Sequence, residues 1–237
     1  MHPTVVIPTY NERANLPVLI ERLLALPALR ILVVDDGSPD GTGDEAERLA
    51  LPSGGRVAVL HRTGRRGLGR SYIDGFRAAL DAGATHVLQM DADLSHDPDD
   101  IPRLLRASDG ADLVLGSRYV AQGELRNWPL HRRWLSAFAN HYVRLITRMP
   151  VRDCTSGFRC WRRELLADIP LERIVSDGYA FQVELTWEAY RAGARVAEIP
   201  IVFVERRLGA SKMSGRVIVE SAILPWRLVA QPRVRRG

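Results

Sequence analysis

Two aspartates one residue apart, Asp91 and Asp93, directly follow an apolar run that has the length of a buried strand, His86–Met90. Mg²⁺ in proteins typically binds one or two carboxylates and completes its shell with water and substrate phosphates. An Asp-x-Asp pair at the carboxyl end of a strand therefore indicates a site for a metal ion and a diphosphate. The pair alone is equally typical of a turn, so other residues must decide between the two interpretations.

Two further polar clusters follow predicted strands. Tyr10 and Glu12 come after the first strand, and Asp35 and Asp36 come after the second. Ligands of parallel α/β sheets bind outside the carboxyl ends of the strands. We therefore expect all three clusters to lie at one edge of the sheet, where carboxylates can accept hydrogen bonds from a nucleoside or bind a metal.

The first half of the chain alternates strand and helix patterns. Apolar residues at helical spacing predict helices near residues 16–24 and over Gly67–Leu80, and Thr42–Glu45 has the spacing of a capping box. Asp97, followed by Pro98, is expected to begin another helix. Strands rich in Val, Ile and Leu between helices predict an α/β fold with a mostly parallel central sheet and helices on both faces. The predicted strands are Val5–Ile7, Ile31–Val34, Val57–Leu60, Val87–Met90 and Leu113–Leu115.

The second half is less regular. We predict a loop over Arg118–Trp128, an irregular segment over Asp153–Arg159 and a mobile one over Gly209–Gly215. Four aromatic residues lie within or just before a predicted helix over His131–Ile146. We expect them to pack in the core, and the alternative is that they line a groove for a prenyl chain. They are Trp128, Trp134, Phe138 and Tyr142. The predicted helices and short strands are His131–Ile146, Tyr179–Tyr190, Val196–Ile199 and Ile201–Val204.

Composition narrows the possible partners. The 237 residues carry a net charge of +5, and Lys212 is the only lysine. This balance fits anionic partners such as phosphates or a membrane surface. The basic residues are scattered along the chain and form no recognised nucleic-acid-binding motif, so we do not expect nucleic acid as a partner. Cys154 and Cys160 lack the number and spacing of a disulfide framework or a zinc site, so we expect buried reduced thiols.

No segment has the pattern of a signal peptide or the roughly 20 apolar residues of a membrane span. We therefore expect a cytoplasmic protein, or one bound peripherally to the cytosolic face of a membrane. The apolar segment Val217–Val229, followed by Arg233, Arg235 and Arg236, fits either a packed C-terminal helix or an interfacial helix beside anionic lipid.

The motifs together resemble a known family. Val5–Glu12, Val34–Ser38 and Met90–His96 are similar to the inverting nucleotide-diphospho-sugar glycosyltransferases of family 2. Four later segments favour the branch of polyprenol (dolichol) phosphate mannose synthases, and the resemblance extends to about Gly215. These segments are Gly116–Tyr119, Asp153–Arg159, Gly178–Glu184 and Glu205–Lys212.

The resemblance implies a fold and a reaction. Residues 1–215 would form a GT-A type nucleotide-binding domain, and residues 216–237 a C-terminal helix and basic tail at the membrane interface. The enzyme would transfer mannose from GDP-mannose to a polyprenyl phosphate with inversion, using Mg²⁺ or Mn²⁺. Either the C-terminal helix or a polytopic membrane partner would bring it to its lipid.

The resemblance also assigns residues to roles. The catalytic residues would be Asp93, Arg118 and Lys212. Arg118 would bind the donor phosphates and, together with Arg132, the acceptor phosphate. Arg206 and Lys212 would lie on a loop that closes on the donor. The nucleoside would be bound by Pro8, Tyr10, Glu12, Val34 and Asp36. The diphosphate and metal would be bound by Asp91, Ala92 and Asp93, with Asp93 as direct ligand and Ser95 where some relatives place a Gln ligand.

A phosphate acceptor would be largely dianionic at neutral pH, because its second pKa is about 6, and would need no general base. Gln182, where other relatives carry an acid, suits such an acceptor, although Glu184 lies near enough in sequence to serve a hydroxyl acceptor as base. Three alternatives stay open. They are UDP-glucose as donor, a sugar hydroxyl as acceptor, and a non-catalytic nucleotide-binding subunit of a membrane complex.

Overall fold

A computed structural model describes residues 1–205 and 215–231, with the side chains of residues 215–221 left out. Arg206, Lys212 and most of the segment predicted to be mobile lie outside the described residues. Nine strands are described: β1 Pro3–Thr9, β2 Arg30–Asp35, β3 Val57–His61, β4 His86–Gln89, β5 Leu113–Ser117, β6 Glu124–Arg126, β7 Arg159–Arg162, β8 Val196–Pro200 and β9 Val202–Val204. Eight α-helices are described: α1 Leu16–Leu24, α2 Thr42–Ala50, α3 Leu68–Asp81, α4 Ile101–Ala107, α5 Leu130–Thr147, α6 Arg163–Asp168, α7 Gly178–Arg191 and α8 Gly215–Ala230.

Seven strands form the central sheet, in the order β3-β2-β1-β4-β7-β5-β8. Six of them run in one direction, because every pairing in the sheet is parallel except the two that β7 makes with β4 and β5. The predicted mostly parallel sheet is confirmed. The sequence analysis did not predict the antiparallel strand β7, which lies inside the sheet between β4 and β5.

Helices cover both faces of the sheet, as predicted. One buried cluster packs α3, α5, α7 and α8 against the sheet around Phe76, Val143, Phe181 and Leu224. A second packs α1 and α4 against the other face around Leu19 and Leu104. Both faces of the strands are thus apolar, which explains their near-continuous Val, Ile and Leu.

Two predictions about local structure were wrong. The segment predicted as a loop contains β6, which pairs with β9 in a second, two-stranded sheet. Thr42 does not begin a capping box, because it is already the first residue of α2, and its hydroxyl donates to Asp40 Oδ1 at 2.5 Å. By contrast, Asp97 caps the turn before α4 as predicted, since its carboxylate accepts the Asp99 N–H at 3.0 Å.

The expectation that the aromatic residues of α5 pack in the core was also wrong. Trp134 is 76% exposed and Phe138 66% exposed. The buried face of α5 instead presents Asn140, Val143 and Thr147 at helical spacing. Cys154 and Cys160 are free and buried, as predicted.

The last helix, α8, packs on the domain. Leu224 and Leu228 are buried in the cluster shared with α5 and α7, and the Trp226 indole donates to the Tyr142 hydroxyl at 2.9 Å. Ile223, Trp226 and Val229 stay exposed. Within the described residues, no helix combines the length and apolar character needed to cross a membrane.

Candidate functional site

The three polar clusters meet at the carboxyl edge of the sheet, as predicted. β1 lies between β2 and β4, and the Asp36 N–H donates to the Thr9 carbonyl at 3.0 Å. Asp35 holds the turn that follows, because its carboxylate accepts the Ser38 hydroxyl at 2.5 Å. Residues from three separate segments therefore line one continuous edge.

On the β1–β2 side, two arginines contact the residues predicted to bind a nucleoside. The Arg62 side chain is buried and pairs with the Asp36 carboxylate, whose other oxygen accepts the Gly67 N–H at 2.9 Å. Arg66 donates to the Tyr10 hydroxyl at 2.9 Å, with its guanidinium carbon 4.8 Å from the ring centroid. These contacts fix Asp36 and Tyr10 in place before any ligand binds.

The remaining predicted nucleoside residues lie along the same edge. Glu12 accepts from the Asn15 amide at 2.8 Å. Val34 is fully buried in the core, so only its backbone can face a ligand, and Pro8 lies near the end of β1. Their roles in donor binding stay predictions.

Asp91 is held by three residues that the sequence analysis did not connect with it. The Tyr72 hydroxyl donates to Asp91 Oδ1 at 3.2 Å. Gly157 lies against the same carboxylate so closely that a Cβ there would be 3.1 Å from Oδ2. The Asp91 N–H donates to His96 Nδ1 at 3.3 Å. Both the backbone and the carboxylate of Asp91 are therefore fixed.

Tyr72 and His96 are themselves rigid. Tyr72 is fully buried and stacks on Phe181 with ring centroids 5.9 Å apart. Burial, followed by the neighbouring Asp91 charge, raises the pKa of Tyr72, so its hydroxyl stays a donor. His96 stacks on Phe158 at 5.0 Å, and burial lowers the pKa of His96. Neutral His96 therefore accepts at Nδ1 and carries its proton on Nε2.

The turn after Asp91 offers further oxygen atoms. Asp93 Oδ1 accepts the Ser95 N–H at 3.1 Å, while Ala92 is buried. The Ser95 hydroxyl oxygen is buried without a hydrogen-bond partner among the described residues. Two carboxylates and an unsatisfied hydroxyl are hard oxygen donors of the kind Mg²⁺ and Mn²⁺ prefer. Such a set fits an ion whose shell is completed by substrate phosphates. No cluster of three or more His, Cys, Asp and Glu placed to hold a metal lies among the described residues.

Arg118 is buried and forms a bidentate pair with Asp153. Nε and Nη2 each donate to one Asp153 oxygen at 2.7 Å, and Nη2 also donates to the Thr155 hydroxyl at 2.8 Å. Burial opposes both charges, but their mutual attraction raises the pKa of Arg118 and holds the pKa of Asp153 below its usual range. Arg118 is 7% exposed, so it is not a solvated surface residue. Its guanidinium carbon also lies 5.4 to 5.6 Å from the ring centroids of Tyr119, Trp128 and Phe203.

Arg132 also lies at this end of the molecule, partly buried. It pairs with Glu205, and its guanidinium carbon is 5.6 Å from the Trp128 ring centroid. This contact places a second cation at the start of α5.

An apolar groove of about 340 Å³ opens between α5, α7 and α8. Phe138, Tyr142 and Val183 contribute apolar walls, whereas Arg132 and Thr155 contribute polar groups. The groove is the alternative location that the sequence analysis gave for the aromatic residues of α5.

One short segment, residues 153–157, connects this groove with Asp91. Asp153 pairs with Arg118, Thr155 lines the groove, and Gly157 touches the Asp91 carboxylate. The buried Arg159 guanidinium donates to the carbonyls within the segment, at 2.7 Å to Ser156 and 2.8 Å to Cys154. The arrangement places an apolar binding groove, a cation and a carboxylate turn next to one another.

Comparison with known sequences agrees with this geometry. Residues 4–169 match the profile of glycosyl transferase family 2. The chain is 52% identical over 219 residues to the polyprenol monophosphomannose synthase of Mycolicibacterium smegmatis, covering 92% of this chain and 83% of that protein. It is 47% identical over 236 residues to the undecaprenyl-phosphate mannosyltransferase of Micrococcus luteus, covering 98% of this chain and 96% of that protein.

Comparison with solved structures agrees on the fold. Glucosyl-3-phosphoglycerate synthase from Mycobacterium tuberculosis, crystallised with Mn²⁺, UDP-glucose and phosphoglyceric acid, superposes with a TM-score of 0.70 at 21% identity. The alignment covers 97% of this chain and 80% of that one. This likeness extends to the GT-A arrangement of a mostly parallel sheet between helices. The profile match and the two close relatives show that the chain belongs to glycosyltransferase family 2.

Proposed function

We propose that this protein transfers mannose from GDP-mannose to a polyprenyl phosphate with inversion at the sugar. The names of two relatives at 52% and 47% identity support mannose as the sugar and a polyprenyl phosphate as the acceptor. GDP as the carrier rests on the residues at Tyr10, Glu12 and Asp36, which resemble those of GDP-mannose enzymes.

The observation that carries the proposal is the connection made by residues 153–157. A lipid phosphate bound with its chain in the apolar groove would place its head beside Thr155 and the Arg118 guanidinium. The same segment touches Asp91, at the turn proposed to hold the donor diphosphate. Acceptor and donor would thus meet over one rigid support, which is what an in-line displacement requires.

A divalent ion fits the Asp91–Ser95 turn. Asp93 and Asp91 would hold it, with the Ser95 hydroxyl as a further oxygen donor. When bound, Mg²⁺ or Mn²⁺ would neutralise charge that develops on the departing diphosphate. The solved relative's complex with Mn²⁺ and a nucleotide sugar supports a divalent ion in this fold.

The reaction needs no base from the protein. A phosphate oxygen of the acceptor forms a bond to the anomeric carbon while the bond from that carbon to GDP breaks on the opposite face. Arg118, through Nη1, and Arg132 are proposed to bind the acceptor phosphate, because guanidinium N–H groups form charge-assisted hydrogen bonds to phosphate oxygens. Arg206 and Lys212 are proposed to close over the donor.

Glu184 supports this choice of acceptor. Its carboxylate is buried and accepts the Ser176 N–H at 3.0 Å, and it does not line the apolar groove. Gln182 is likewise buried and accepts from Gln89 at 3.3 Å. Neither side chain is placed to deprotonate a sugar hydroxyl in the groove.

The exposed apolar residues near the groove suggest how the protein meets its lipid. Trp134 and Phe138 on α5, and Ile223 and Trp226 on α8, are exposed beside it. Apolar and aromatic side chains with neighbouring arginines are typical of interfacial helices. We propose peripheral docking of α5 and α8 on the cytosolic face of a membrane, with recruitment by a polytopic partner as the other route.

A transfer assay with labelled donor tests the proposal. The purified full chain, incubated with GDP-[¹⁴C]mannose, polyprenyl phosphate and Mg²⁺ or Mn²⁺, should produce label in the organic phase. An excess of unlabelled GDP-mannose should suppress the label, whereas UDP-glucose should not. No labelled lipid beside an active relative as positive control would refute the proposal, and suppression by UDP-glucose alone would refute the donor.

A further inference from the structure

A second cavity, of about 320 Å³, lies next to the β1–β2 side of the candidate site, since Arg62 and Arg66 in its lining contact Asp36 and Tyr10. It is enclosed by the loop between β3 and α3, the outer face of α3, and residues 171–177 before α7. We call it the arginine groove, after Arg62, Arg65, Arg66, Arg70 and Arg77, which line it. Neither Asp91, Asp93 nor the residues of the apolar groove contribute to it.

The spacing of the arginines directs them to one concavity. Arg70 and Arg77 are seven residues apart on α3 and therefore share a helix face. Arg65 and Arg66 come directly before the helix, and Arg66 is fixed by its hydrogen bonds to Tyr10 and the Gly37 carbonyl, both at 2.9 Å. Both of these acceptors are neutral, so they do not offset the charge of Arg66.

The acidic residues of the groove do not cancel this charge. Asp74 pairs with Arg62 at 2.7 Å, and the Arg62 guanidinium also pairs with Asp36. Within the described part of the chain, the closest carboxylate contact to Arg65, Arg66, Arg70 or Arg77 is Asp74 to Arg77, at 4.0 Å.

Asp177 and Glu172 are the other two acids that line the groove. Asp177 Oδ1 accepts the N–H groups of Gly69 and Gly178, both at 2.8 Å, so its charge faces the starts of α3 and α7. The Glu172 side chain is 66% exposed, and its nearest cation is Arg173 at 4.0 Å, which does not line the groove. Five arginines and three carboxylates thus line the groove, which leaves the positive charge in excess.

We propose that the arginine groove is a binding site for phosphate groups, next to the nucleoside side of the donor site and distinct from both the Asp91–Ser95 turn and the apolar groove. Guanidinium groups bind phosphate oxygens through paired N–H donors, and several in one concavity raise the local concentration of anions. The phosphate is carried either by a small solute or by an anionic lipid headgroup. Val175, 80% exposed on the rim, adds an apolar contact that suits the headgroup.

The test compares two variants that lose the same charge. Arg70→Gln/Arg77→Gln removes two groove cations, whereas Arg30→Gln/Arg106→Gln removes two exposed arginines from other parts of the surface. Calorimetry with inorganic phosphate, at saturating GDP and Mg²⁺, measures the affinity for free phosphate. Sedimentation with phosphatidylcholine vesicles, with and without phosphatidylglycerol, measures the headgroup.

We expect the groove variant to bind about tenfold more weakly or worse in one of the two experiments, with the control within about twofold of the unchanged protein. The experiment that responds identifies the source of the phosphate. Equal weakening of both variants, displacement of phosphate by GDP, or no binding in either experiment would overturn the proposal. Mannose transfer, measured in parallel, reports on the proposed function independently.

Discussion

Tyr72 donates its hydroxyl to Asp91 Oδ1 over 3.2 Å from a position that solvent does not reach. The two residues are 19 positions apart, on α3 and directly after β4. A buried donor fixed by stacking orients the carboxylate more firmly than water would. A residue of the hydrophobic core therefore orients the carboxylate of Asp91, the first aspartate of the Asp-x-Asp pair.

Tyr72→Phe should weaken donor binding without unfolding the domain. A hydrogen bond to a charged group contributes about 1.5–3 kcal/mol, so we expect Mn²⁺-dependent GDP binding to weaken roughly tenfold, while the KM for the lipid stays unchanged. Calorimetry with GDP and Mn²⁺ measures this. Tyr190→Phe, at a partly exposed tyrosine of α7, is the control, and equal affinities of both variants would contradict the role of Tyr72.

Gly157→Ala should displace the Asp91 carboxylate. The added Cβ would lie 3.1 Å from Oδ2, closer than ordinary contact, so the carboxylate must move. Small misplacements at a reacting centre can cost about a hundredfold, and we expect a loss in kcat/KM of roughly tenfold to hundredfold. Gly110→Ala, where a Cβ meets nothing within 4 Å, is the matched control. Full activity of Gly157→Ala would show that the Asp91 position is not critical.

Asp153→Asn should destabilise the fold in a pH-dependent way. Breaking a buried ion pair typically costs about 3–5 kcal/mol. Because the folded pKa of Asp153 is depressed, its contribution is fully present above the unfolded value of about 3.9 and is lost as the pH falls through the lower folded value. The difference in free energy of unfolding between the two proteins should thus be large at pH 7 and shrink below about pH 4.

Asp112→Asn provides the comparison for this measurement. Asp112 pairs with Arg195 at 2.8 Å, but the Arg195 side chain is largely exposed, and such pairs contribute about 1 kcal/mol or less. Denaturant unfolding at several pH values measures both variants. A loss for Asp153→Asn no larger than that for Asp112→Asn would mean that the Arg118 pair does not hold the 153–157 segment.

Charges on the exposed face of α5 should weaken membrane docking. Trp134→Asp/Phe138→Asp places two carboxylates where the proposed contact with lipid lies, so vesicle flotation should fall several-fold. Val18→Asp/Leu51→Asp changes two exposed apolar residues elsewhere and keeps the net charge equal. Flotation that responds equally to both variants would exclude α5 as the docking surface. Point variants are preferable to removing α8, because Leu224 and Leu228 are buried.

The strand-end residues were predictable from sequence because each cluster is local. An apolar run followed by Asp91 and Asp93, or by Asp35 and Asp36, is visible in one short segment, and parallel topology brings such segments to one edge. The contacts of Tyr72 and Gly157 with Asp91 join residues far apart in sequence. Nothing in the local pattern of α3 distinguishes Tyr72 from any other apolar-facing aromatic residue.

Strand β7 and helix α5 show why the rest was missed. β7 is Arg159–Arg162, and a strand bounded by two arginines does not suggest an interior strand of a sheet. Arg159 is buried there because it binds backbone carbonyls. In α5, Trp134, Phe138 and Tyr142 recur every four residues, the spacing of a core-facing stripe, but they face the groove and solvent instead.

The most direct test compares the unchanged protein with Asp93→Ala in the presence of GDP-mannose, polyprenyl phosphate and Mn²⁺. Transfer of mannose to lipid and Mn²⁺-dependent binding of GDP are measured on the same preparations, with circular dichroism as the check on folding. We predict that Asp93→Ala stays folded and loses both transfer and the metal-dependent part of GDP binding. Unchanged transfer by folded Asp93→Ala would contradict the assignment of this carboxylate to the reaction.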